Sequence, residues 1–262
     1  MFKRSGAWLS LLLLVLLLTG CSPEAYMKPI DPNGGIWDRY FVFPLSWTLD
    51  TVADWLAGSY GLSILVVTLI IRFIILPLMY KQMKSSKQLQ ELQPEIQKLQ
   101  KKYKNNQEKL QLEMMKLFQK HNVNPLMGCL PILIQMPILI AFYHAIMRNA
   151  EIREHSFLWM NLGTPDPFYV LPALAALTTY FQTMVTRKMM PTPQVMTVQM
   201  EQQQQMMKTM SIILPAMILF IAITLPSALS LYWVYTNVFS IIQTYFLYKW
   251  LYGEKVQKEA TS

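Results

Sequence analysis

The 262-residue chain is 53% hydrophobic with only 15% charged residues, and its mean hydropathy is positive. That balance excludes an ordinary soluble domain and points to an integral membrane protein. The formal net charge of +8 is unevenly spread, so it reports topology rather than a DNA partner, and two cysteines, Cys21 and Cys129, give no disulfide framework.

The N-terminus reads as a processing signal. Lys3 and Arg4 precede a short apolar core, Leu9 to Leu18, and Leu18-Thr19-Gly20-Cys21 has the pattern of a bacterial lipoprotein cleavage site. Residues 1–20 are expected as a lipoprotein signal peptide, with Cys21 the residue that accepts acyl chains such as palmitate. The alternative is a plain signal anchor followed by an incidental cysteine. Residues 21–58 are then an extracellular loop rich in Pro and Gly, followed by an interfacial amphipathic helix. In IWDRYFVFPLSWTLDTVADWL, Trp37, Phe41, Trp47 and Trp55 alternate with Asp38, Asp50 and Asp54. Pro44 marks a break or a start in that helix.

The apolar run 59–80, SYGLSILVVTLIIRFIILPLMY, is long enough to cross a bilayer as a helix at about 1.5 Å per residue. Arg72 lies inside it. An arginine there costs roughly 2.5–3.5 kcal/mol on insertion scales, so such a residue faces protein or water. No Asp or Glu stands inside the other apolar runs, so Arg72 reads as a charge kept for something that arrives from elsewhere.

Residues 81–125 carry ten lysines from Lys81 to Lys120 against Glu91, Glu95, Glu108 and Glu113, which places them in the cytoplasm by the positive-inside rule. Leu89, Leu92, Ile96, Leu99 and Tyr103 make one apolar stripe; Leu110, Met114, Leu117 and Phe118 make a second. Asn105-Asn106 lies between them, so a helical hairpin is expected, with Pro94 at a start or bend of its first arm. Two readings stand: a solvated linker, or a docking element for anionic partners such as lipid headgroups or ribosomal RNA.

Four more spans follow, at 126–148, 168–186, 209–225 and 228–249. An extracellular loop (149–167), a Met- and Gln-rich cytoplasmic loop (187–208) and a cytoplasmic tail (250–262) complete the chain. Thr179, Gln182, Thr183 and Thr186 fall on one face of the third span. In the fifth, Tyr232, Thr236, Ser240 and Gln243 do the same, with Asn237 and Thr244 beside them; Thr68 lies one turn before Arg72. Such residues often serve as glue between helices. With Arg72 they also suggest a hydrated groove lined by Thr68, Arg72, Gln182 and the fifth-span stripe.

Asn124-Pro125, Gly128-Cys129-Leu130-Pro131 and Gln135-Met136-Pro137 resemble the signature of the YidC/Oxa/Alb family of membrane protein insertases. So do the arginine in the preceding span and Leu225-Pro226-Ser227-Ala228 followed by Leu231-Tyr232-Trp233. The resemblance covers essentially the whole mature chain and is of the Gram-positive type, since no large domain stands in the short outer region. It implies an all-α fold of five transmembrane helices around a hydrophilic groove, in a lipid-anchored protein of the bacterial plasma membrane. It also implies insertion of small membrane proteins, alone or with the Sec translocon. Arg72 then matches the groove arginine, and Thr68 and Trp233 match substrate-proximal positions. Nascent membrane proteins, the Sec translocon, the ribosome and membrane lipids are the implied partners. The sequence has no glycine-rich phosphate loop, metal cluster or nucleophile paired with a base, so neither an enzyme nor a cofactor is expected. The rival reading is a small-solute transporter or channel, which would normally carry inverted repeats or intramembrane carboxylates.

Overall fold

The computed structural model describes residues 28–124, 127, 130–189 and 198–260, so Cys21, Pro125, Gly128 and Cys129 lie outside the described residues. The described chain is mostly helical. A π-helical turn at Asp38–Val42 runs into α1 (Phe43–Trp55). Pro44, which has no N–H to donate, stands at the switch from the wide turn to the regular helix. One face of α1 buries Leu45, Ser46, Leu49, Val52 and Ala53, while Trp47 and Trp55 stay exposed. Gly58, at φ 82°, turns the chain into α2 (Tyr60–Glu91).

Helix α2 is long and apolar enough, by length and composition, to cross a membrane. It does not stop at residue 80. The lysine-rich stretch that follows holds neither Gly nor Pro, so the helix continues to Glu91. Pro94 then sits in the first turn of α3 (Gln93–Lys102). Asn106 caps α4 (Gln107–Lys120), its side chain accepting from Lys109 N at 3.0 Å. Leu92, Ile96, Leu117 and Val123 form a small core of their own, with Leu89, Leu99, Met114 and Phe118 packed around it.

Helix α5 (Leu130–Arg148) contains Pro137. The stretch 149–167, expected as loop, holds the short α6 (Ala150–Glu154) and a two-stranded antiparallel hairpin, β1 (Ser156–Phe157) with β2 (Met160–Asn161). Asp166 starts α7 (Val170–Met189): its carboxylate accepts from Leu171 N at 2.7 Å, Phe168 N at 3.1 Å and Trp159 Nε1 at 3.0 Å. Helix α8 runs Val198–Thr224, so the later part of the expected 187–208 loop is helical, as its Met, Gln and Lys content favours. Helix α9 (Ser227–Ala260) likewise extends through most of the expected tail.

Helix α7 packs along both α8 and α9, α9 also lies against α2, and α1 packs on α2 and α5. The main core occupies one end of this bundle. It joins Leu49, Ile64, Val67, Phe142, Ile146, Ile152, Met160, Leu162, Leu229 and Tyr232. At that end the α8–α9 turn is tied to the hairpin, with Ser227 N donating to Thr164 O at 2.7 Å and Ala228 N to Leu162 O at 3.1 Å. The Phe157 ring lies where a Cβ of Gly61 would stand, so only glycine permits this approach.

Past that core the packing loosens. The buried residues of α2 all fall between Tyr60 and Thr68, within its first turns. Helix α5 buries Ala141, Phe142, Ala145 and Ile146 but leaves Leu133 64% and Met136 37% exposed. The bundle is therefore close-packed at one end; beyond it α2 stays beside α9 through the ring pairs Phe73–Phe239 and Tyr80–Trp250, and the remaining faces of α2 and α5 are partly exposed.

Candidate functional site

Arg72 sits one turn beyond Thr68, the last buried residue of α2, where the close-packed end gives way. Its guanidinium Nη2 donates to Gln135 Oε1 of α5 at 3.0 Å, and Gln135 Nε2 donates to Tyr232 Oη of α9 at 2.7 Å. Among the described residues, no carboxylate reaches Arg72, and Gln135 is its only hydrogen-bond partner. The charge is thus held by a neutral amide and left uncompensated. Tyr232 is itself fixed, 3% exposed and with its ring 4.3 Å from that of Phe142.

The other sequence-derived site residues divide into three groups. Thr68 is 2% exposed and its hydroxyl donates to Ile64 O at 2.6 Å, within its own helix. Thr236 and Gln243 are buried, and Trp233, Ser240 and Gln182 are half-buried. The main-chain oxygen of Gln182 accepts from Thr186 Oγ1 at 2.9 Å. On the polar face of α7 the bonding goes instead to Asn237, whose Nδ2 donates to Thr179 Oγ1 at 2.8 Å and Thr178 Oγ1 at 3.2 Å. That pair is interhelical glue between α7 and α9. Cys21 lies outside the described residues. Gln135 entered the sequence reading only within the Gln135-Met136-Pro137 motif and not as a site residue; the available signal was the one amide side chain in this helix.

A second polar cluster closes the far end. Arg148, at the end of α5, grips Asp38 with two bonds, Nη1 to Oδ1 at 2.7 Å and Nη2 to Oδ2 at 2.5 Å. It also donates to the main-chain oxygens of Lys28 and Pro29, both at 2.9 Å. The hydrogen bonds from Arg148 hold the Asp38 carboxyl below its usual range. Nearby, Asn149 Nδ2 donates to Asp50 Oδ1 at 2.8 Å and to Ser46 Oγ at 2.9 Å. Tyr60 Oη lies 2.8 Å from Glu151 Oε2 and 3.0 Å from Asp50 Oδ1. Burial pushes the Asp50 carboxyl up, against the lowering effect of its bonds to Asn149 and Tyr60.

The profile of the "60Kd inner membrane protein" family matches residues 52–255, well over half of the chain. The chain belongs to this family. "Membrane protein insertase YidC 1" of Halalkalibacterium halodurans is 50% identical over 252 residues, covering 94% of this chain and 92% of that protein. "Membrane protein insertase MisCA" of Bacillus subtilis is 50% identical over 250 residues, covering 94% and 91%. Among solved structures, an active YidC insertase with its first transmembrane domain resolved superposes with a TM-score of 0.57 at 28% identity. That match takes in 81% of this chain and 47% of the longer YidC chain. These likenesses agree with the family resemblance drawn from the proline motifs and the span arginine, and they do not favour a small-solute transporter or channel.

Proposed function

We infer that this chain is a membrane protein insertase that brings membrane-protein substrates into the lipid bilayer. The observation that carries the mechanism is Arg72, a cation held by a neutral amide where the packed end of the bundle opens. Five helices, α2, α5, α7, α8 and α9, span the bilayer, with the Arg148 end outside and the α3–α4 hairpin in the cytoplasm. The loosely packed half of the bundle is then a hydrated groove in the inner leaflet.

A short hydrophilic segment of the substrate, often bearing Asp or Glu, enters that groove from the cytoplasm. Arg72 attracts it, and the water around Arg72 shortens the hydrocarbon path left to cross. The close-packed end, closed by Ile64, Phe142, Ile146 and Tyr232, keeps the route from becoming a pore. The flanking apolar segment moves sideways into lipid, and its burial at roughly 25 cal/mol per Å² supplies the drive. The membrane potential adds about 2.3 kcal/mol per charge per 100 mV for acidic residues moving outward. Half-buried Trp233, Ser240 and Gln182 line the same route, with buried Thr68, Tyr232, Thr236 and Gln243 shaping its walls.

The reading extends to three attachments. Cys21 carries the lipid anchor, α1 lies at the outer interface with Trp47 and Trp55 at headgroup depth, and the lysine-rich hairpin meets the ribosome and the Sec translocon. Ribosome cosedimentation with and without residues 84–120 tests the last of these; equal binding counts against it.

The central test is insertion into proteoliposomes of a single-span substrate whose translocated segment is either acidic or neutralised. Arg72→Lys keeps the cation and retains most activity; Arg72→Ala loses the acidic substrate more than the neutral one. Equal activity of Arg72→Ala on both substrates overturns the role given to Arg72.

A further inference from the structure

Gln135 is the one side chain that bonds Arg72 among the described residues, and it joins three helices at a single point. An arginine has donors only, so the amide oxygen must face it, and the amide nitrogen is thereby turned toward Tyr232 Oη. Both ends of the amide are used: 3.0 Å to α2 and 2.7 Å to α9. The residues beside it on α5, Leu133 and Met136, are exposed, while Ile138 and Leu139 one turn on pack against the main core, so Gln135 stands where α5 leaves that core. Tyr232 cannot drift to accommodate a change, because its ring is packed on Phe142 inside the main core.

Three kinds of residue could stand here. A carboxylate would neutralise Arg72 with a bidentate pair and leave nothing for a substrate. A hydrocarbon would leave the guanidinium without a protein acceptor and free to swing away from the groove. An amide aims the guanidinium while leaving its full charge unspent. The bond from the arginine cation to the amide oxygen has one charged partner, whereas an arriving carboxylate brings a full opposite charge and two oxygens that fit the guanidinium fork, so it displaces the amide oxygen rather than competing with it on equal terms.

Resting on the insertase reading, we propose that Gln135 is a positioning residue: its amide oxygen holds Arg72 in the place an acidic substrate side chain takes over, with Tyr232 as the fixed anchor. This sets a specificity. Substrates with a carboxylate in the translocated segment exploit the exchange, while neutral segments pass without it.

The test measures the ratio of acidic to neutralised substrate inserted into proteoliposomes by the purified full chain. Gln135→Glu, which locks Arg72 in an internal ion pair, is expected to lower that ratio about tenfold. Gln135→Met, of similar length but without the amide, is expected to lower it as well, and carries the test should Gln135→Glu not accumulate. The exchange variant Arg72→Gln/Gln135→Arg keeps one cation and one amide across the same pair of helices. It is expected to recover the ratio to within about threefold of the parent, whereas Arg72→Gln alone does not; a purely structural amide would give no such rescue. A ratio unchanged in both Gln135→Glu and Gln135→Met overturns the proposal, as does an exchange variant no better than Arg72→Gln. If Arg72→Ala also leaves the ratio unchanged, the Arg72 mechanism itself fails. If Arg72→Ala lowers the ratio and the Gln135 variants do not, only the positioning role falls.

Discussion

Replacing Arg148 by alanine should be among the most destabilising single changes in this protein. The Arg148 side chain is 6% exposed and that of Asp38 19%, so the pair is largely out of solvent. The guanidinium donates four hydrogen bonds: two to Asp38 and one each to the main-chain oxygens of Lys28 and Pro29. Truncation leaves the half-buried Asp38 carboxylate without its partner, while the oxygens of Lys28 and Pro29, on exposed residues, turn to water. Breaking a fully buried pair from one side costs about 3–5 kcal/mol; water reaches the 19% exposed Asp38 carboxylate, so the cost here should fall below that range. Arg148→Lys keeps the charge but cannot reproduce the fork, and should fall between parent and alanine. Asp38→Ala strands the guanidinium but leaves it two carbonyl acceptors, so its cost should be the smaller of the two. The double variant should cost less than the sum of the singles by about 0.5–3 kcal/mol, the range for residues in direct contact. Reversible unfolding in mixed micelles, run as a four-variant cycle, reads all of these. If Arg148→Ala unfolds within about 0.5 kcal/mol of the parent, the usual scatter for surface changes, the clamp contributes nothing and the reasoning is wrong.

The Asp50 cluster should make stability depend on pH. Burial raises the Asp50 pKa above its ordinary 3.8, so the fold favours the protonated carboxyl. Its contribution is complete below 3.8 and is lost as pH rises through the higher folded value. Asp50→Asn should remove that part of the slope in melting temperature from pH 4 upward; identical slopes would refute the assignment. Asp38 works in the opposite sense. Its lowered folded pKa contributes stability above 3.8 that disappears as pH falls, so Asp38→Asn should flatten the acid limb. At the N-terminus, Cys21→Ala should leave the unprocessed precursor in the membrane, and mass spectrometry that finds unmodified Cys21 in the parent would remove the lipid anchor.

Much of the local structure was legible because helix signals are short-range. Leu92, Ile96 and Leu117, picked out by their spacing alone, lie in the hairpin core, and Asn106 sits at the N-cap of α4. The solitary charge at Arg72 also stood out by composition. Helix ends were read less well where the expected membrane boundary was taken as a helix boundary. Once a helix emerges, only Pro, Gly or a cap stops it, and the stretches after Tyr80 and Lys249 contain no Pro. Gly253 did not stop the last helix either.

What the sequence could not provide was the pairing of polar groups across helices. Gln135 and Arg72 are 63 residues apart, Arg148 and Asp38 110, and Asn237 and Thr179 58. Periodicity says which residues share a face of one helix. Which faces then meet depends on the rotation and sliding of each helix against its neighbours, and close packing sets these: Gly61 beneath Phe157, Phe142 on Tyr232, Ser63 Oγ on Leu49 O at 2.6 Å. Composition alone determined that a charge sits in an apolar helix of this chain; only the packing of three helices decided that an amide holds it.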